Sequence, residues 1–290
     1  MAIDLLLSIV SSGLLFLILK KFPDWGIVTL HGILVNYFVA ASLSLMLSNL
    51  SMEHATIHVQ QALPYALAIG LLFIVVFMLT GKTAQYCGIA VSSIASKMSM
   101  VIPICIGFYL YGESIDVQRM LGMALALPAV VLSGLKPNQT QGKALAKNLL
   151  LLPFLLFVGA GLVDSAIKYA QFKLMDDTNS YLIIAMIFAS AGSFGLLKLL
   201  WDTMNGGERI SVTSIMGGAL LGIINFFSLW FLVRCLDRPD VDSSHVFAIV
   251  NVGVVLMTFL IGLFVFKEIP TFKQRIGLVL AIIAIFVLTW

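Results

Sequence analysis

Long apolar runs separated by short polar connections follow one another along the whole chain, at about 3–20, 27–48, 62–81, 88–111, 118–135, 149–171, 180–200, 212–235, 243–266 and 273–290. A helix of about 20 apolar residues crosses the hydrocarbon of a bilayer. The pattern therefore predicts ten transmembrane helices and an all-α polytopic membrane protein. The period-two alternation of a membrane barrel is absent, and in lipid a chain of this kind satisfies its backbone groups only as helices. The longest polar interruptions are Asn49 to Gln61 and Lys136 to Asn148. Neither is long enough for a soluble domain. The second falls at the midpoint and reads as a linker, so residues 1–135 and 149–290 are predicted as two five-helix halves joined by 136–148.

The halves echo one another. The fourth run ends FYLYGESIDVQRMLGMALAL and the ninth LFVFKEIPTFKQRIGLVLAI. Glu113 and Glu268, and Gly122 and Gly277, stand at the same offset of 155 residues. That offset also sets Ser96 against Asn251 and Pro103 against Thr258. Five spans is an odd number, so the second copy crosses the membrane in the opposite sense to the first, which makes the repeat an inverted one.

Composition agrees with the pattern. The chain is 60% hydrophobic and 11% charged, with mean hydropathy +1.06, whereas a soluble domain carries about 25% charged residues. The net charge of +3 is spread thinly through the connections, which argues against nucleic acid as a partner. Instead the charges report topology. The connections after the odd-numbered runs hold eleven Lys and Arg, and the opposite side holds four, Arg119, Lys173, Arg234 and Arg238. By the positive-inside rule the richer side is cytoplasmic and both chain ends lie outside. Cys87, Cys105 and Cys235 stand far apart without a C-x-x-C pair, suggesting neither a disulfide framework nor a zinc site. The first run begins directly after Met1, without a basic leader, and is expected to be a retained span.

One full charge interrupts the fourth run, GIAVSSIASKMSMVIPICIGFYLYGE, near its middle. Lys97 there costs about 3 kcal/mol on insertion scales, and such a charge normally faces the protein interior and serves a function. At about 100° per residue Ser92, Ser96, Ser99 and Pro103 share a narrow arc, while Lys97 lies roughly 120° from it, nearer Ser93. Pro103 deletes a backbone donor and opens the helix there. On the ninth run Ser244, Asn251, Thr258 and Gly262 share a face. Asp164 and Lys168, four residues apart on the sixth run, share one too. Asp164 is the expected counter-charge to Lys97 or a proton carrier, with a permanent salt bridge as the alternative. His31, Asn36, Tyr37, Asn225 and His245 are further intramembrane polar residues, of a kind that more often bonds helices together than binds ligand. Serine and threonine stripes likewise serve ordinary helix packing.

The stretch SSIASKMSMVIPICIGFYLYGESIDVQRMLGMALALPAVVLSG, with its counterpart FKEIPTFKQRIGLVLAIIAI, resembles the EamA-like repeat of the drug/metabolite transporter superfamily. There a small, serine-rich helix ends in Gly-Glu and a glycine-rich helix follows. The resemblance covers the whole chain and implies ten helices in two halves, carrier activity and cytoplasmic termini, the last at odds with the charge count. Two departures stand out: NLSMEHATIHVQQ lacks the basic residues of typical members, and Lys267 replaces the glycine before Glu268.

The function expected is secondary transport of a small polar metabolite, anionic or zwitterionic, across the bacterial cytoplasmic membrane by alternating access. Lys97, Ser96, Ser93, Asn251 and Asn225 are the expected substrate contacts, and Asp164 and Lys168 the ion-pair or proton-coupling residues. Alternatives are export of amphipathic drugs or neutral metabolites, or a structural or enzymatic membrane protein. No nucleophile elbow, P-loop or H-E-x-x-H occurs, which weighs against an enzyme. His54 and His58 lack a third ligand, and no cofactor or metal is expected. The partners expected are a small-molecule substrate, lipid and coupled protons. Gly218 and Gly222 suit internal packing or a dimer contact, leaving monomer and homodimer both open.

Overall fold

The computed structural model describes residues 2–48, 52–111, 117–134, 143–174, 179–236 and 243–289. Helix covers the apolar windows as α1 (Ala2–Lys21), α2 (Thr29–Leu47), α3 (Met52–Tyr86), α4 (Ile89–Met98), α5 (Val101–Tyr111), α6 (Val117–Gly134), α7 (Lys143–Leu174), α8 (Ser180–Met204), α9 (Val212–Leu236), α10 (Ser243–Phe264) and α11 (Phe272–Thr289), and no strand occurs among the described residues. Eight of the helical stretches described are long and apolar enough to cross a membrane, Ile89–Ile106 counted as one, and the shorter apolar stretches Met120–Gly134 and Ile249–Phe264 accompany them. The protein is membrane-embedded. Glu113 and residues 136–142 of the linker lie outside the described residues, as do the side chains of His54, His58, Ser244 and His245.

Two helices overrun their predicted limits. α3 starts ten residues before its apolar run, because MEHATIHVQQ contains good helix formers and neither Gly nor Pro. The same holds for the KALAKN start of α7, which was expected as linker. A third difference is the division of the fourth window. Proline lacks an N–H and its ring crowds the carbonyl four residues back, which loosens the helix at Ser99; α3, α6 and α7 do run through Pro64, Pro128 and Pro153, so Pro103 favours the division without compelling it. The Ser99 carbonyl, left without its usual donor, takes the Ile102 N–H at 2.9 Å, and the chain turns at Ser99 and Met100 before α5 begins.

The chain divides into two compact units that alternate along it: residues 1–20, 79–161 and 227–290 form the first, and residues 21–78 and 162–226 the second. α3, α7 and α9 each give one end to each unit.

In the first unit α6 packs along α11, and α4 on α10. The crossings are close because glycines remove a side chain where the helices meet. A Cβ on Gly122 would lie 2.6 Å from Leu288, and one on Gly277 2.7 Å from the Ser133 backbone nitrogen. These two contacts fix α6 and α11 as antiparallel. Gly262 against Ile89, and Thr258 against Ser93, do the same for α10 and α4. The apolar core here gathers Leu5, Phe16, Ile89, Cys235, Val246, Val250 and Val254. Cys87 and Cys235 are buried and outside any disulfide, and the exposed Cys105 lies with its Sγ 3.4 Å from the Met123 sulfur.

In the second unit α2 packs along α8. Gly192 lies against Phe38 and Gly195 against Leu34, so this pair is antiparallel as well. Tyr37 is fully buried, its ring meeting Phe73, Phe77 and Phe188 and its hydroxyl donating to the Phe73 carbonyl at 2.8 Å. A second apolar cluster joins Ala62, Ala66 and Ile69 of α3 to Ala170 of α7 and to Ile183 and Ile187 of α8.

Candidate functional site

A helix interrupted inside an apolar span frees backbone groups where no water waits to take them, and such breaks are tolerated where they line a cavity or are buried in protein. In the first unit the break at Ser99 and Met100 has this character. α4 is only ten residues long, and Lys97 occupies its last turn. The last carbonyls of a helix carry the equivalent of about half a negative charge, so an ammonium group placed there is stabilised by about 0.3–1 kcal/mol. The sequence put Lys97 in mid-helix, where it is costly; the break turns the same position into the favourable end of a short helix. Lys97 and Ser96 are both partly exposed, while Ser92, Ser93 and Ser99 are wholly buried.

The buried serines are each committed. Ser92 donates to the Thr80 carbonyl of α3 at 3.0 Å. Ser99 donates to the Ser96 carbonyl at 2.6 Å, closing the last turn of α4 beside Lys97. Ser93 and Thr258 share a hydrogen bond of 2.5 Å, both fully buried. Ser93 thus stands in the α4–α10 seam, and Ser96 is the serine on this face whose side chain remains accessible. Asn251, seven residues before Thr258 on α10, is partly exposed, and Lys97 and Ser96 stand in the last turn of α4, just before the interruption. On the other side of the break Gly161 of α7 gives room to Ile102, at the start of α5.

The remaining expected site residues, Asp164, Lys168 and Asn225, belong to the second unit. Asp164 and Lys168 are both exposed on α7. Asn225 donates its amide to Asn36 Oδ1 at 3.1 Å, joining α9 to α2. Asn36 is fully buried, and its own Nδ2 finds no acceptor among the described residues, as does the Nδ1 of His31.

No family model matches the chain. The protein is 28% identical over 291 residues to an uncharacterized protein of Haemophilus influenzae, covering 98% of this chain and 97% of that one. It also shares its fold with a protein of known crystal structure, at 10% identity and a TM-score of 0.57, over 97% of this chain and 96% of the other.

A second feature of the first unit is Glu268, which follows the end of α10. It forms an ion pair with Lys20, at the end of α1 and 248 residues distant in sequence, with side chains only 29% and 15% exposed. Lys20 also lies 4.7 Å above the Phe266 ring. Thr271 and Gln274 form a reciprocal capping box at the start of α11, with the Thr271 N–H donating to Gln274 Oε1 at 2.9 Å and the Gln274 N–H to Thr271 Oγ1 at 3.2 Å. A cavity of about 270 Å³ opens beside Glu268, lined also by Cys87, Ile94, Ser133, Phe259 and Gln274. The signal for Glu268 was present in its repetition at the offset of Glu113; its partner was not legible, because nothing local marks Lys20.

Proposed function

We propose that the protein is a secondary transporter of ten membrane-spanning helices in two inverted repeats, moving a small anionic or zwitterionic metabolite across the cell membrane by alternating access. The observation that carries this reading is the interrupted fourth span, with Lys97 in the last turn of a short helix and Ser96 next to it. Carriers built from repeated halves bind cargo near mid-membrane at discontinuous helices, where the ends of half-helices supply fixed partial charges. Here the ammonium of Lys97 attracts a carboxylate or phosphate, and Ser96 and Asn251 hydrogen-bond its polar remainder. Asp164 is the titratable group for proton coupling. The kinship with EamA-like transporters belongs to the same proposal and rests on the motifs quoted above.

The inverted repeat has its own support. The three pairings α2 with α8, α4 with α10 and α6 with α11 each join a helix to its counterpart in the other half, and each is antiparallel, as opposite insertion of two copies requires. The units also take α2 with α8 and α6 with α11 together, and divide α3 and α9 alike.

The test begins with a thermal-shift screen of amino acids, nucleosides, sugar phosphates and organic cations, followed by uptake of the stabilising compound into proteoliposomes. A hydrogen bond to a charged group contributes about 1.5–3 kcal/mol, so Lys97→Ala should lower uptake tenfold or more while the protein stays monodisperse. Unchanged uptake would remove Lys97 from the site.

A further inference from the structure

The turn that follows α10 places a carboxylate where a turn of ordinary geometry would not. Lys267 adopts φ 52°, the left-handed region that an L side chain enters at a cost of about 1–2 kcal/mol. The Glu268 N–H then closes back on the Gly262 carbonyl at 2.8 Å. This folds the Glu268 side chain toward the start of α4, where two glycines leave space for it. A Cβ on Gly262 would lie 2.9 Å from Glu268 Oε2, and one on Gly88, the residue preceding α4, 3.0 Å from the same oxygen. Gly88 itself has φ 115°, so a side chain there is excluded by the backbone as well as by space. The start of a helix carries partial positive charge and favours an anion. Glu268 therefore has two attractions, the Lys20 ammonium at the end of α1 and the leading end of α4.

α4 is held at that end by Glu268 and separated from α5 at its other end by the break. Beside the carboxylate lies the 270 Å³ cavity, with the Gln274 side chain on its wall and the buried thiol of Cys87, 4% exposed, on another. We infer that the Lys20–Glu268 ion pair is a latch: while it is made, it pins the leading end of α4 at Gly88 and keeps the neighbouring Cys87 buried, and its release is the step that frees α4, with Lys97 at its far end, to move as a short rigid rod. The latch deepens the carrier reading and rests on it for its purpose. It is tested without transport, so that failure of the latch and failure of the carrier are distinguishable.

Cys87 is the native reporter. In full-length protein carrying Cys105→Ser, purified in lipid nanodiscs, N-ethylmaleimide labelling of Cys87 is followed by peptide mass spectrometry. Glu268→Gln and Lys20→Gln should each speed labelling about tenfold, the factor that corresponds to loss of a charged hydrogen bond. The exchanged pair Lys20→Glu with Glu268→Lys should return labelling toward the parent rate. Cys235, buried in the apolar core of the same unit, should stay protected throughout. Labelling of Cys87 at the parent rate in the single variants, or an exchanged pair as fast as the singles, overturns the latch. So does equal labelling of Cys235, which would make the pair a merely structural tie. Should the single variants fail to purify as monodisperse protein, Lys20→Gln with Glu268→Gln leaves no unpaired charge and carries the same test, with parent-rate labelling again overturning it.

Discussion

Pro103→Ala tests whether the interrupted helix serves transport or is incidental. Proline in a helix interior costs about 3 kcal/mol relative to alanine. In α5 Pro103 is the third residue, in the first turn, where its missing N–H costs little, so the penalty falls only on a helix continuous from α4. Alanine lifts that penalty and restores a donor for the Ser99 carbonyl, a bond contributing about 1 kcal/mol net. Against this stand the Ile102 N–H bond to Ser99 at 2.9 Å and the packing of Ile102 on Gly161, both of which hold the break open. The balance favours straightening by about 1–3 kcal/mol. Thermal unfolding of the purified variant should therefore occur at an equal or higher temperature, hydrogen exchange at residues 99–103 should slow, and uptake of the screened cargo should fall severalfold. Uptake at the parent level in a more stable protein would show that the break plays no part in transport. A lower unfolding temperature would refute the assignment of the break to Pro103.

Thr258→Val removes the partner of a buried serine hydroxyl, and should cost about 1–2 kcal/mol in chemical unfolding while leaving the affinity of the surviving protein for cargo unchanged; a change in affinity alone would place Ser93 in the substrate site. Gly277→Ala puts a methyl 2.7 Å from the Ser133 backbone nitrogen, and the α6–α11 crossing should lose about 1–3 kcal/mol, read as a lower unfolding temperature. Unaltered stability there would mean that the two helices separate at small cost.

Much of this architecture was legible because a bilayer imposes a length and a polarity on every span, and the apolar runs state both. The break was legible too, since Pro103 follows a run of serines in an otherwise apolar stretch. The true ends of α3 and α7 were not, because polarity marks the membrane surface while helix propensity sets where a helix stops, and MEHATIHVQQ satisfies the second without the first. Which serines are committed was also hidden. The helical wheel separates Ser93 from Ser96 without saying which is committed, and only the α4–α10 packing gives Ser93 to Thr258 and leaves Ser96 accessible. Asn36 and Asn225 were each visible as polar residues within the membrane; their mutual hydrogen bond depends on how α2 meets α9. The partner of Glu268 was out of reach for the same reason, since ion pairs across 248 residues are written in tertiary packing alone.

Lys267 has one more consequence. A glycine at that turn would let the peptide sample several conformations and soak up small displacements, whereas a side-chain-bearing residue locked in a single unusual conformation has few alternatives to relax into. A glycine in place of Lys267 would adopt the same φ without the steric cost and would loosen the corner between α10 and α11, so Lys267→Gly should leave the turn intact in the folded protein.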